Sequence, residues 1–189
     1  LLQRGQNRDC HGTCSGISSG FSGRTGTGRK RKSKTGLKGD NCMILREMLI
    51  DDLEQVMEIE RELFHVPWTR EGFFTFLTRE DAMFLVVEEK GQILGYCGLL
   101  MVLDEGDITN VAVRRDRQKE GIGNFLMESL VRLAAERGVT TIHLEVRVGN
   151  DRAIRLYERN GFTRDGIRKG YYSDPTEDAL LMTRHPENN

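Results

Sequence analysis

Long apolar runs are missing from this sequence. Hydrophobic residues make up only 38% of it, and nowhere do 18 or more follow one another, so no segment is long and apolar enough to cross a membrane as a helix. Cysteine is scarce, with four in 189 residues. Nothing in their spacing suggests a disulfide framework, which leaves a reducing cytoplasm as the expected setting. Cys10, His11 and Cys14 form C-H-x-x-C, but no second ligand pair at zinc-finger spacing follows and Cys42 is distant, so no metal site is expected. Cys97 lies inside an apolar run and reads as a reduced core residue. The first 42 residues lack the apolar centre of a secretory signal, and the chain has no internal repeat.

Charge is unevenly spread. Residues 1–42 hold nine of the 28 Lys/Arg and only two of the 29 Asp/Glu, with nine glycines. Residues 43–189 therefore carry 19 basic and 27 acidic side chains, a net of −8. The near-neutral total hides a basic, Gly/Ser-rich extension on an acidic domain. Such an extension cannot bury enough apolar surface to offset chain entropy, so disorder is expected there. Its GRKRKSK run could touch nucleic acid or an anionic surface, or serve only as a solvated leader. Met43 opens the first patterned segment and is a plausible start for the folded unit, 43–189.

Within that unit the periodicities alternate. A strand is expected over 44–49. Asp51 and Glu54 then form a D-x-x-E capping pattern ahead of a helix whose Leu53, Val56, Ile59 and Leu63 recur at helical spacing. Pro67 bars its continuation, and Thr69 can cap a second helix over 70–80. Strands at 83–89, 92–104 and 107–116 form a meander. A long helix over 121–138 presents Phe125, Leu126, Ser129, Leu130, Leu133 and Ala134 on one face and stops at Gly138. A strand (140–148), a helix capped by Asn150 and two strand-like pieces complete the order β-αα-βββ-α-β-α-ββ. This predicts an α/β domain, a mixed sheet with helices on both faces.

The junction after the meander reads RRDRQKEGIGNF. Gly121 and Gly123 let backbone approach a bound group, and free N–H groups at a helix start favour an anion such as pyrophosphate. Arg114, Arg115, Arg117 and Lys119 add positive charge, and Glu120 opposes it. The spacing fits neither the P-loop nor the dinucleotide G-x-G-x-x-G, since position 126 is Leu.

Residues 118–123 match Q/R-x-x-G-x-G/A, and LEVRVGNDRAIRLYERNGF carries N-x-x-A-x-x-L-Y-x-x-x-G-F. With the closing YY…EDALLM, these segments resemble the GCN5-related N-acetyltransferases over about 43–185. PWT, LDEGDITNVAV, LEVRVGN and RKGYYSDPTEDALLM are most similar to the ribosomal-protein alanine N-acetyltransferases of that family. Two departures lie near the expected peptide-binding edge. The segment between Tyr172 and Glu177 is shorter than in some members, and Ser173 stands where a Pro often follows the paired tyrosines.

The resemblance implies a mostly antiparallel central sheet and acetyl-CoA as cosubstrate. It places Val111, Ala112 and Val113 along the pantetheine arm, with Val111 and Val113 offering backbone groups. It puts Gln118, Lys119, Glu120, Gly121, Ile122, Gly123 and Asn124 at the pyrophosphate, and Asn150 on CoA. Trp68, Tyr171 and Tyr172 would wall a peptide groove, although ordinary aromatic packing explains them equally well. The implied reaction moves acetyl to a protein N-terminal α-amine, the partner being a protein N-terminus such as the N-terminal alanine of a small-subunit ribosomal protein. Acetylation of Lys side chains or small amines, and acetyl-CoA binding without turnover, are the alternatives.

An amine must be neutral to attack. At neutral pH an α-amine is roughly a tenth neutral, and a Lys amine only a few parts in about ten thousand. A carboxylate can accept the proton, and an O–H donor can protonate the departing thiolate. Alternation in TTIHLEVRV sets Ile142, Leu144 and Val146 on one face and His143, Glu145 and Arg147 on the other, so Glu145 can face a cleft. By resemblance Glu145 is the general base and Tyr157 the acid. Read from the residues alone, Glu145 is a solvent-facing strand residue and Tyr157 packs its ring on the sheet. His143 is a rival base on the same face, and His65 a structural loop residue.

Overall fold

The computed structural model describes residues 43–186. The basic extension, its C-H-x-x-C run and its expected disorder lie outside the described residues. The elements follow the anticipated order: β1 (Ile44–Glu47), α1 (Leu53–Leu63), α2 (Arg70–Leu77), β2 (Ala82–Glu89), β3 (Gln92–Val102), β4 (Glu105–Val113), α3 (Ile122–Glu136), β5 (Thr141–Arg147), α4 (Asp151–Arg159), β6 (Thr163–Ser173) and β7 (Thr176–Arg184). Short 3₁₀ turns, Ile50–Asp52 and Arg115–Arg117, precede α1 and follow β4. Thr69 caps α2 by accepting the Gly72 N–H at 3.0 Å. The D-x-x-E expectation is corrected by one residue. Asp52, not Asp51, accepts the Leu49 N–H at 2.7 Å while also gripping Arg46, and this ends β1 at Glu47.

Seven strands form one sheet in the order β1-β2-β3-β4-β5-β7-β6, antiparallel except for the β4/β5 pair. α3 and α4 bury Leu126, Leu130, Leu156 and Tyr157 against Val111, Val113, Leu144 and Val146 on one face. α1 and α2 bury Leu53, Val56 and Phe73 against Phe84, Tyr96 and Ala112 on the other. Each such aliphatic or aromatic side chain contributes about 1.5–3 kcal/mol on burial. Cys97 is fully buried, and burial pushes its thiol far above the ordinary range, as expected of an inert core cysteine.

The β4/β5 pair is short. Only Glu105, Gly106 and Asp107 pair with Thr141, Ile142 and His143. Beyond Asp107 the two strands are unpaired, and a β-bulge intervenes: the β3 register runs Gly98↔Asn110 and Leu99↔Ile108, leaving Thr109 extra in β4. A bulge bends its strand, here where pairing with β5 stops. Gly98 makes room for it. A Cβ there would sit 2.3 Å from the Phe84 ring and 2.5 Å from Thr109 Oγ1. Gly98→Ala is expected to destabilise the domain by about 1–3 kcal/mol. A thermal melt checks it, and an unchanged midpoint would contradict this account of the bulge.

Candidate active site

The parity of the β3/β4 ladder decides which groups face the opening. Arg114 N–H donates to Leu94 C=O at 2.9 Å, so the hydrogen-bonded pairs run Leu94/Arg114, Tyr96/Ala112 and Gly98/Asn110. Ala112 therefore spends its backbone groups on β3, and its side chain lies in the α1/α2 core. Val111 and Val113 turn theirs toward the gap. Of the three expected pantetheine residues, the geometry favours these two and not Ala112.

At the end of this edge the chain turns into α3. Gly121 is the N-cap, at φ 94°, where it offers no side chain to cap the helix. The first intrahelical donor is Phe125, to the Gly121 carbonyl at 3.1 Å. The amides of Ile122, Gly123 and Asn124 precede it and have no carbonyl to meet within the helix. Lys119 also takes a left-handed conformation, φ 72°.

The side chains of this loop are largely committed elsewhere. Glu120 is held by Arg117 at 2.8 Å, and Arg117 also reaches Glu89 at 3.0 Å. Arg114 pairs with Asp116 and Arg115 with Glu62. Thus each arginine expected to draw an anion has a carboxylate partner, and Glu120 is one of them. Asn124 bridges Glu128 and Asn160. Gln118 donates to Val113 C=O at 3.0 Å and accepts from Arg152 at 2.7 Å. Asn150 accepts the Ala153 N–H at 3.2 Å and caps α4.

Glu145 sits on the polar face of β5, its side chain 14% exposed. This face looks to the α1/α2 side, where the helices pack chiefly on β2, β3 and β4. Arg168 of β6 donates to Glu145 Oε1 at 3.2 Å and lies over the Tyr171 ring. Tyr172 is buried, stacks under Arg147 and donates its hydroxyl to the Glu145 backbone carbonyl at 3.3 Å. It anchors the strand beneath the carboxylate, while Tyr171 is half-buried. His143 is drawn away from the gap. Its Nδ1 meets Thr183 Oγ1 at 2.9 Å, and that hydroxyl donates to Asp165.

Tyr157 comes from the opposite face. It is fully buried with α3 and α4, edge-on to Phe162. Acid and base candidates thus lie on opposite sides of the sheet.

The acetyltransferase (GNAT) family model matches residues 53–162. An Escherichia coli [ribosomal protein bS18]-alanine N-acetyltransferase is 36% identical over 69% of this chain and 89% of its own. A Bacillus subtilis protein, named as a candidate for the same activity, is 40% identical over 73% and 92%. The crystal structure of the Escherichia coli ribosomal-protein-S18-alanine N-acetyltransferase superposes with a TM-score of 0.72, at 32% identity, over 78% of this chain and 96% of that one. The chain belongs to the GNAT family.

It is an N-acetyltransferase that uses acetyl-CoA. The geometry fits that cosubstrate. A GNAT domain must take an extended arm and a pyrophosphate, and this one offers the outward backbone groups of Val111 and Val113 and uncapped amides at α3. The Trp68 ring packs on Phe73, Phe76 and Phe84. Its backbone N–H instead donates to Glu60 Oε2 at 2.7 Å. Glu60, 1% exposed, also receives the Tyr96 hydroxyl and, at 3.5 Å, Asn110 Nδ2. Burial pushes its carboxyl up from the ordinary range, and the hydrogen bonds only partly offset this. The hub ties the loop after α1 to β3 and to the bulge of β4. Its signal was present in the sequence, because position 60 continues the buried Leu53, Val56 and Met57 stripe of α1.

Proposed function

We propose that this GNAT enzyme acetylates the N-terminal α-amine of a protein, and that its substrate is the N-terminal alanine of a small-subunit ribosomal protein. The observation that carries the reading is the identity of 36% to a bS18-alanine N-acetyltransferase across 89% of that protein. The placement of Glu145 supports it, on the polar face of β5 beside Arg168 of β6.

Acetyl-CoA supplies an activated acetyl thioester when bound. Glu145 accepts the proton that the α-ammonium must lose, directly or through water. Tyr172 and Arg168 hold Glu145 in place from the backbone and the side chain. Tyr157, on the α4 side of the opening, supplies the hydroxyl for the departing sulfur. An α-amine with a pKa of about 7.7–8.0 is already partly neutral, so a single carboxylate suffices as base. The basic extension has no assigned part in this chemistry.

The test is acetyl transfer to an Ala-starting bS18 peptide, against the same peptide with a blocked amine and an internal Lys. Transfer to the free α-amine is expected, with kcat/KM rising about tenfold per pH unit and levelling near pH 8. Preference for the internal Lys would overturn the assignment.

A further inference from the structure

The strand that carries Glu145 is braced unevenly. β7 pairs with β5 over residues 142–147, but β4 pairs with it no further than His143. Glu145 therefore lies where the ladder is one-sided. Arg147 closes β5 two residues later, on the same polar face. Its guanidinium reaches across the sheet to the turn between β6 and β7. Nη1 donates to the Pro175 carbonyl and to Glu177 Oε2, each at 3.0 Å, and Nη2 donates to the Asp174 carbonyl at 2.9 Å. The other oxygen of Glu177, Oε1, accepts the Gly149 N–H at 2.9 Å, which returns the contacts to the end of β5. The flat guanidinium also lies over the Tyr172 ring, 4.2 Å from its centroid. Residues 173–176 of the turn are exposed, so this fixture buries little of the turn itself. What it pins is the ring beneath. Tyr172 is buried, and its hydroxyl donates to the Glu145 carbonyl.

We infer that Arg147 is a positioning residue for acetyl transfer, acting on Glu145 through Tyr172. The inference rests on Glu145 as the base and adds what holds that carboxylate where the sheet opens. The planar fork of Arg suits the task. Its edges meet two carbonyls and a carboxylate, and its face remains for the aromatic ring. Lys would keep the charge but supply neither the fork nor the flat face. Alternation along β5 sets Arg147 on the face of Glu145 without saying what it meets there.

Steady-state acetylation of an Ala-starting peptide by the full chain tests this, with CoA affinity measured by titration in parallel. Arg147→Met is expected to lower kcat/KM for the peptide by roughly ten- to a hundredfold, the cost of a slightly misplaced base. CoA affinity should stay at the wild-type value, because the cofactor is assigned to β4 and α3. Arg147→Lys should show a smaller loss of the same kind, and it carries the comparison if the Met variant unfolds. Tyr172→Phe removes the hydroxyl and keeps the ring. In that background Arg147→Met should cost little more, since the link to Glu145 is already cut. Losses that multiply to within about twofold would overturn the route through Tyr172, as expected of two unconnected structural contacts. A wild-type kcat/KM in Arg147→Met, or an equal loss of CoA affinity, would overturn the inference outright. A wild type that acetylates no α-amine would remove the reading of Glu145 as base, and this inference with it.

Discussion

Glu145→Gln lowers kcat/KM for an N-terminal peptide by roughly two to four orders of magnitude. The amide keeps the volume of the carboxylate and can still accept from Arg168, whose contact is a single 3.2 Å bond. The Tyr172 bond to the backbone carbonyl is untouched, because it does not involve the side chain. What is lost is the ability to hold a proton. The fall should appear in kcat/KM for the peptide, while CoA affinity measured by titration stays close to the wild type. The substitution also separates the catalytic reading from acetyl-CoA binding without turnover. A wild-type protein that binds CoA yet acetylates no peptide would support the latter. A variant that keeps the wild-type rate would remove Glu145 as the base and return attention to His143, the last β5 residue paired with β4.

Glu60→Ala has the larger expected effect on stability. It leaves three donors, from Trp68, Tyr96 and Asn110, facing a cavity. Each buried unsatisfied donor costs about 1–3 kcal/mol, so the sum is a large part of a domain's typical stability of about 5–15 kcal/mol. A drop of roughly 10 °C or more in melting temperature is expected. Glu60→Gln is milder. It keeps the volume and one acceptor oxygen, but cannot serve all three donors. With the Trp68 amide released, the loop after α1 loosens, and KM for the peptide should rise more than kcat falls. Stability as a function of pH offers an independent check. The folded protein holds the Glu60 proton more tightly than the unfolded chain does, because burial raises its pKa. Its contribution therefore declines as pH rises from about 4.5 through the folded value, and is constant below that. Comparing wild type with Glu60→Gln across that window isolates it, and a flat difference would contradict the assignment of a buried, desolvated carboxyl.

These two residues differ in how readable they were. Glu145 was visible through alternation along one strand, since period two forces Leu144 inward and Glu145 outward whatever the neighbours. Glu60 was visible only as an acidic residue on the buried stripe of α1, and the reason for it lies 36 and 50 residues away, in Tyr96 and Asn110. Trp68 is a related case: the sequence left a groove wall and ordinary packing equally open, and its packing on Phe73, Phe76 and Phe84 is a matter of helix placement. The basic run near residue 114 suggested an anion site through charge, whereas each arginine there has its own carboxylate.

The chain's own order determined the alternation of strands and helices, the two-faced strand β5, the glycine opening of α3 and the Asn150 cap of α4. All of these are local: they depend on side-chain period, on backbone permissiveness and on hydrogen bonds a few residues long. Only the tertiary structure decided that β4 bulges at Thr109 and parts from β5, that Val111 and Val113 face the gap while Ala112 does not, and that Glu145 and Tyr157 approach from opposite sides. Those outcomes depend on register between distant strands and on which helix covers which strand. The packing of Gly98 against Phe84 and Thr109 sets the bulge, and the bulge places the opening.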